Sequence, residues 1–525
     1  VIREISPHDA KSRLHAGGEI AFLDVREAGE FGEAHPLFAV PCPYSRLEIV
    51  VGALVPNRCV EVILIDGGDG VAARAARCME GLGYEHVSVV AGGAPGWAAA
   101  GLTLYKGVNV PSKTLGELAE AVWHPATIDA ATLQSWRDDG RPFRLFDARP
   151  PAEYTKMRVP GAACLPNGEL AHRFGAAVPD PDVPVVLNCA GRTRGLIGAI
   201  GLKLAGIGNP VLALENGTQG WALENFALER GAAPEPYPAL NDEALDASRR
   251  RAHAISEKWR IPWIDAVRLA TLRDDPGRSL YLFDVRSAEE FAAGHLPGAV
   301  HAPGGQLVQA SDQWIGIRRA RLVLSDDTGL RAALAAFWLR QLGWETYVLA
   351  APGLFTETAS AEAGSAGTAL PSVSAADAAA GLAAGTHRLL DLRPSQAYRS
   401  GHPAGAEWTI RPRVAAQAAG LESTVLLAEE PAVAALAAVD LKESGVQDIR
   451  LLEGGFAAWR DAGLPVESTP NSPTPAEAID FLAFVHDRHD GNLDASRRYL
   501  AWEQGLVAQL DPEERGEFRL ERPPA

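Results

Sequence analysis

Short runs of uninterrupted apolar residues alternate along the chain with Ala- and Leu-rich stretches of helical spacing, and the alternation returns four times in the same order. The first run ends in Asp-x-Arg and leads into an acidic or aromatic helix start: FLDVREAGEF from Phe22, LFDARPPAEY from Leu145, LFDVRSAEEF from Leu282 and LLDLRPSQAY from Leu389. The second runs into a loop and then a helix: VILIDGGDG from Val62, VVLNCAGRTRG from Val185, LVLSDDTG from Leu322 and VLLAEEPA from Val425. The third follows a Gly-containing turn and closes near Trp97, Trp221, Leu354 and Trp459. Strands that are apolar on both faces belong in parallel sheets covered on both sides. Each repeat therefore predicts a small α/β domain of about 100 residues, doubly wound with right-handed crossovers.

The predicted domains are 1–106, 127–233, 261–357 and 372–467, with a helical tail over 468–525 and connectors near 107–126, 234–260 and 358–371. A second period lies above the first. LDASRR occurs at Leu245 and again at Leu493, each time in a polar helical stretch after a pair of repeats. The chain reads as two duplicated halves in which repeats one and two dock together, as do three and four. The two helices tie the halves, with Ala252, Ile255, Trp259, Leu500 and Trp502 in the interfaces. Phe481, Leu482, Phe484 and Val485 are the apolar contribution of the tail.

Composition narrows the function. The 525 residues are 47% hydrophobic and carry a net charge of −17, enough apolar content for several cores and too acidic for general binding to nucleic acid or anionic membrane. Five cysteines, none in a C-x-x-C pair, imply neither a disulfide framework nor a zinc site. They suit a reducing, cytoplasmic compartment. No apolar run reaches the roughly 18 residues of a membrane span. No signal peptide is visible, although a chain that starts at Val1 gives that little weight.

The loops after the second run differ in chemistry. In an open α/β sheet, ligands bind beyond the carboxyl ends of the strands, where helix N-termini turn N–H groups outward. In repeat two this loop reads Cys189-Ala190-Gly191-Arg192-Thr193-Arg194. A helix dipole and two arginines favour a thiolate at Cys189, successive N–H groups can form an anion nest, and Gly191 allows backbone freedom. A buried apolar filler would need none of these neighbours. Cys42, Cys59 and Cys78 read as such fillers, with Cys164 kept as a minor second thiol. The other repeats have Asp66, Asp326 and Ala428 in place of Cys189, and their loops are two residues shorter. Asp66, Asp69, Asp326, Asp327, Glu429 and Glu430 there read as helix caps that fill or repel from an anion site.

These ordered motifs resemble the rhodanese family of sulfurtransferases over most of residues 1–467. Four such domains with one catalytic loop are similar to multidomain bacterial members that act on thiosulfate. The resemblance implies about five parallel strands per domain, a persulfide on Cys189, and sulfur-donor binding by Ala190, Gly191, Arg192, Thr193 and Arg194. It implies thiosulfate or a similar donor, and cyanide, a small thiol or a protein thiol as acceptor, with no metal or cofactor. The loop departs from familiar thiosulfate enzymes in placing small residues early and arginines late, and Glu153 stands where some members have a substrate arginine. The Asp-x-Arg pairs recur in repeats that lack the cysteine, so they read as fold-supporting ion pairs. Two other readings stay open. One is a persulfide carrier or interaction scaffold. The other, less favoured, is a phosphatase of the same fold, in which the loop is one residue longer than the interval from Cys189 to Arg194.

Overall fold

The structure is a computed structural model describing residues 2–350, 352–358, 370–417, 423–486 and 491–523. It contains four α/β domains in chain order. In the second, strands run Thr127–Ile128, Val211–Leu214, Val185–Asn188, Arg144–Asp147 and Ala163–Cys164 across the sheet, all parallel. The fourth repeats this order with Ser372–Val373, Asp448–Leu452, Ser423–Leu427, Arg388–Asp391 and Glu407–Trp408. The first-run strands are buried on both faces, as Ile20 to Asp24 illustrate, so helices must cover both sides.

Each Asp-x-Arg forms one internal clamp. Asp24, Asp147, Asp284 and Asp391 are fully buried and hold Arg26, Arg149, Arg286 and Arg393 at 2.6–2.7 Å. Each arginine also donates to a carbonyl eight residues ahead, at Ala34, Met157, Gly294 and Gly401. The clamp ties the strand end to the close of the helix that follows it. Trp97, Trp221 and Trp459 are buried and donate to carbonyls six residues on.

The docking pattern differs from the one that the duplicated helices suggest. Strand Ile317–Arg318 of domain three pairs antiparallel with Ile20 and Ala21 of domain one, so one sheet crosses two domains. Tyr44 and Arg74 of domain one meet Asp440 of domain four, and Arg411 of domain four meets Glu48. Domain two meets domain three through Arg331, whose side chain is fully buried and pairs with Glu169 at 2.9 Å, Glu290 at 2.7 Å and Asp327 at 2.6 Å. The main contacts thus run one to three, one to four and two to three. His172 lies beside Glu290 and Asp327 with ligand atoms within 4.8 Å of one another, but both carboxylates are already paired with Arg331.

The connectors are structural. Val110–Trp123 is a helix burying Val110, Leu115, Leu118, Ala119 and Trp123. Asp242–Trp259, the first LDASRR helix, buries Ala252 and Ile255. Trp123, Trp259 and Phe337 pack in edge-to-face and tilted pairs with ring centroids 5.1–6.1 Å apart, joining the first connector, the second and domain three. One apolar core runs from Leu23 through Leu187 and Leu324 to Leu506 and Phe518. The connector over 359–369 and the side chain of Val485 lie outside the described residues. The tail docks through Leu482 and through Tyr105, whose hydroxyl donates to Glu514 at 2.6 Å.

Candidate active site

The buried strand Val185–Asn188 ends at Cys189, and the helix Thr193–Leu204 starts four residues later. The loop between them is pinned from below by the next helix start. The Cys189 carbonyl accepts from the Thr218 N–H at 2.8 Å, and the Ala190 carbonyl accepts from Gln219 Nε2 at 3.0 Å. Gly217, at φ +53°, makes this approach possible: a Cβ there would lie 2.1 Å from the Cys189 carbonyl oxygen. Gly217→Ala should therefore push the loop out of place and lower activity by about 100-fold, read as kcat/KM beside a near-native circular dichroism spectrum.

Cys189 is only 2% exposed. Burial pushes its thiol up, and this outweighs the opposing pull of Arg194 and of the Gly195 and Gly191 N–H groups directed at the sulfur. The arrangement carries the features that favour a thiolate, but desolvation sets the sign in the unliganded state. Arg194 pairs with Glu153 at 2.6 Å. Arg192 turns away to the connector helix, where it holds Glu117 at 2.8 Å and Glu120. Gly191 does not use a positive φ. Its missing side chain leaves room for Glu503, whose Oε2 would sit 2.9 Å from a Cβ there. Thr193 donates through its hydroxyl to Glu503 Oε1 at 2.8 Å.

All six loop residues line one cavity of about 300 Å³. Domain two alone does not build it. Lys113 comes from the first connector, Gln306 and Gln313 from domain three, and Tyr499 and Glu503 from the tail helix Leu493–Gln504. Reasoning on one repeat at a time misses these walls. A helical spacing of apolar residues at Val110, Leu115, Leu118 and Trp123 could have marked the connector as packed.

The matching loops of domains one and three are filled, whereas the cap expected of Glu430 in domain four does not form. Asp66 accepts from the N–H groups of Gly68 and Ala72, both at 2.9 Å. Asp326 accepts from Thr328 at 3.0 Å and Arg331 at 2.8 Å, and also from Gly329. The carboxylates cap the helices with the donors that would otherwise face a ligand. In domain four, Glu430 instead pairs with Arg46 of domain one at 2.8 Å. Cys164 is buried, and its thiol is pushed up to about 12 by burial, which makes it a poor nucleophile.

Fold and loop together define a cysteine-loop α/β domain in four copies, one of which retains the cysteine. The Rhodanese-like domain model matches residues 6–100, 129–224, 265–353 and 374–462, and the chain belongs to the rhodanese family. It is similar over its whole length to the crystal structure of thiosulfate sulfurtransferase from Pseudomonas aeruginosa. That structure is 38% identical with a TM-score of 0.91, and the match covers 99% of this chain and 100% of that one. It also matches the probable adenylyltransferase/sulfurtransferase MoeZ of Mycobacterium tuberculosis, 31% identical over 97 residues. This match covers 18% of the chain and 24% of MoeZ, so the chain spans about a quarter of the length of that relative. No helix among the described residues is long and apolar enough to cross a membrane.

Proposed function

We propose that the protein is a thiosulfate sulfurtransferase and that Cys189 carries the transferred sulfur as a persulfide. The observation that carries this reading is a buried thiol at a strand–helix junction with the Gly191 and Gly195 N–H groups directed at it and the charge of Arg194 acting on it. The Cys189 thiolate attacks the outer sulfur of thiosulfate, the sulfur–sulfur bond breaks, and sulfite leaves with the bonding pair. Sulfite needs no general acid, in keeping with a loop that offers none. The loop N–H groups stabilise the negative persulfide. The outer sulfur then passes to cyanide or to a thiol. The whole-length likeness to a protein named thiosulfate sulfurtransferase supports this donor.

Arg194 is the residue placed to meet the sulfonate, since its charge acts on Cys189 even while it pairs with Glu153, whereas Arg192 turns away to Glu117 and Glu120. Arg194→Gln should raise the KM for thiosulfate about 10-fold or more, and less for an uncharged sulfane donor. It should also push the Cys189 thiol higher still, because Arg194 opposes the effect of burial. The check is the pH profile of iodoacetamide alkylation, which moves to higher pH in the variant.

A carrier role is the second reading, favoured by three domains whose loops hold no cysteine. Intact mass after thiosulfate exposure, beside thiocyanate formation from thiosulfate and cyanide, tests both. One added sulfur atom with turnover supports the enzyme; the adduct without turnover supports the carrier; the absence of both adduct and turnover would rule out a persulfide on Cys189. The cytoplasmic assignment rests on five cysteines that are all free thiols.

A further inference from the structure

Glu503 is brought to the cysteine loop from the far end of the chain. Its residue is 2% exposed. Oε1 accepts from the Thr193 hydroxyl, and Oε2 is buried without any hydrogen-bond partner. A carboxylate oxygen left unsatisfied in the interior costs on the order of 1–3 kcal/mol or more. No hydrogen bond among the described residues offsets that cost. Arg192 exerts its charge on Glu503 but spends its donors on Glu117 and Glu120.

The position is specific to this copy of the helix. Aligning the two LDASRR segments places Ile255 opposite Glu503. Ile255 is 2% exposed and belongs to the apolar core. Where the duplicated helix packs away from a cysteine loop, the site is a hydrocarbon; where it covers one, it is a carboxylate. Glu503 does not act as a plug in the anion nest, because Oε2 accepts from none of the loop N–H groups. The open oxygen calls for a group that arrives with a proton to give, and it lines the same cavity as Cys189.

We infer that Glu503 accepts the proton of the thiol that takes sulfur from the Cys189 persulfide, and that a thiol of ordinary alkyl type is therefore the acceptor for which the cavity is built. The inference rests on the persulfide reading above. In this step the thiol S–H bond breaks and its proton passes to Glu503 Oε2. The thiolate lone pair forms a bond to the outer sulfur of the persulfide. The bond between the two persulfide sulfurs breaks, and its pair stays on Cys189 Sγ. The products are the acceptor persulfide anion, the Cys189 thiolate and the Glu503 acid, with no outside oxidant or reductant. Proton acceptance of this kind contributes about 10²–10⁴-fold.

The test uses the full-length chain with Glu503→Gln, which keeps the side-chain shape and an acceptor for Thr193. Wild type and variant are loaded with thiosulfate, and one added sulfur is confirmed on Cys189 by mass. The loaded proteins are then mixed at neutral pH with an alkyl thiol, which is largely protonated, and with an aromatic thiol of low pKa, which is already ionised. The expected result is a loss of about 100-fold or more in sulfur transfer to the alkyl thiol, with transfer to the aromatic thiolate unchanged or faster. Equal losses with both acceptors would make Glu503 a structural residue and overturn the inference, as would no loss with either. Failure of wild type to gain sulfur on Cys189 would instead overturn the persulfide reading itself.

Discussion

Cys189→Ser is expected to lower thiocyanate formation from thiosulfate and cyanide by about 10⁴-fold or more, with the thermal midpoint within about 2 °C of wild type. A serine hydroxyl fits the space of the thiol but is not ionised near neutral pH, and oxygen does not form the persulfide that the second half of the reaction consumes. The stability clause matters as much as the rate. Cys189 packs at the end of a buried strand, yet what shapes the loop is its carbonyl, held by the Thr218 N–H, and the substitution leaves that bond in place. Activity that survived in Cys189→Ser would move the chemistry to another thiol. Cys164 is the other cysteine near the clamp of Asp147 and Arg149, with Sγ 3.7 Å from the Arg149 carbonyl oxygen, and its pKa of about 12 argues against it.

The largest effect on stability is expected from Arg331→Ala, which should cost about 3–5 kcal/mol. The guanidinium is fully enclosed and faces Glu169, Glu290, Asp326 and Asp327 from two domains. Removing it leaves several carboxylates close together with one cation, Arg173, still paired to Glu169 and Glu290. Burial and like-charge repulsion then act in the same direction. Arg331 also holds Glu290 well down, at about 2. The stability that Glu290 supplies is therefore complete above its unfolded value near 4.5 and is lost as pH falls toward 2. Denaturant unfolding at neutral pH and at pH 3 checks both statements: the variant should show a smaller difference between the two pH values than wild type. An unchanged midpoint would mean that the two domains are held together without the Arg331 cluster.

The four domains and their internal clamps were legible because each is written within about 100 consecutive residues. Apolar strands, Asp-x-Arg and closing Trp all act at short range, and the capping role of Asp66 and Asp326 follows from their place before a helix. What joins the domains was not legible in the same way. Ile317–Arg318 is a two-residue strand in a basic stretch, GIRRARL, with no strand signal of its own; it is ordered by the edge of another domain. Repetition of LDASRR correctly marked two packed helices but suggested the wrong pairing of domains, since duplication records ancestry and not contact. Within the site, the loop 189–194 was readable as one unit, while the directions of its arginines were not. Arg192 answers to Glu117, 75 residues away, and Thr193 to Glu503, 310 residues away. The freedom ascribed to Gly191 proved to be space for that glutamate. The residue whose backbone geometry the loop requires is Gly217.

The reach of these contacts has a consequence for how the protein comes into being. Domain two carries all its own strands and can condense soon after it leaves the ribosome. One wall of its cavity arrives much later: the partner of Thr193 is 310 residues downstream, roughly 15–60 s of synthesis at about 5–20 residues per second. Over that interval the cavity of the nascent chain lacks the side that Tyr499 and Glu503 supply. Lys11 likewise meets Asp511, 500 residues further along. Synthesis of the second domain and enclosure of its cysteine loop are therefore separate events, and a polypeptide that stops short of the tail helix carries that domain with one wall of the cavity missing.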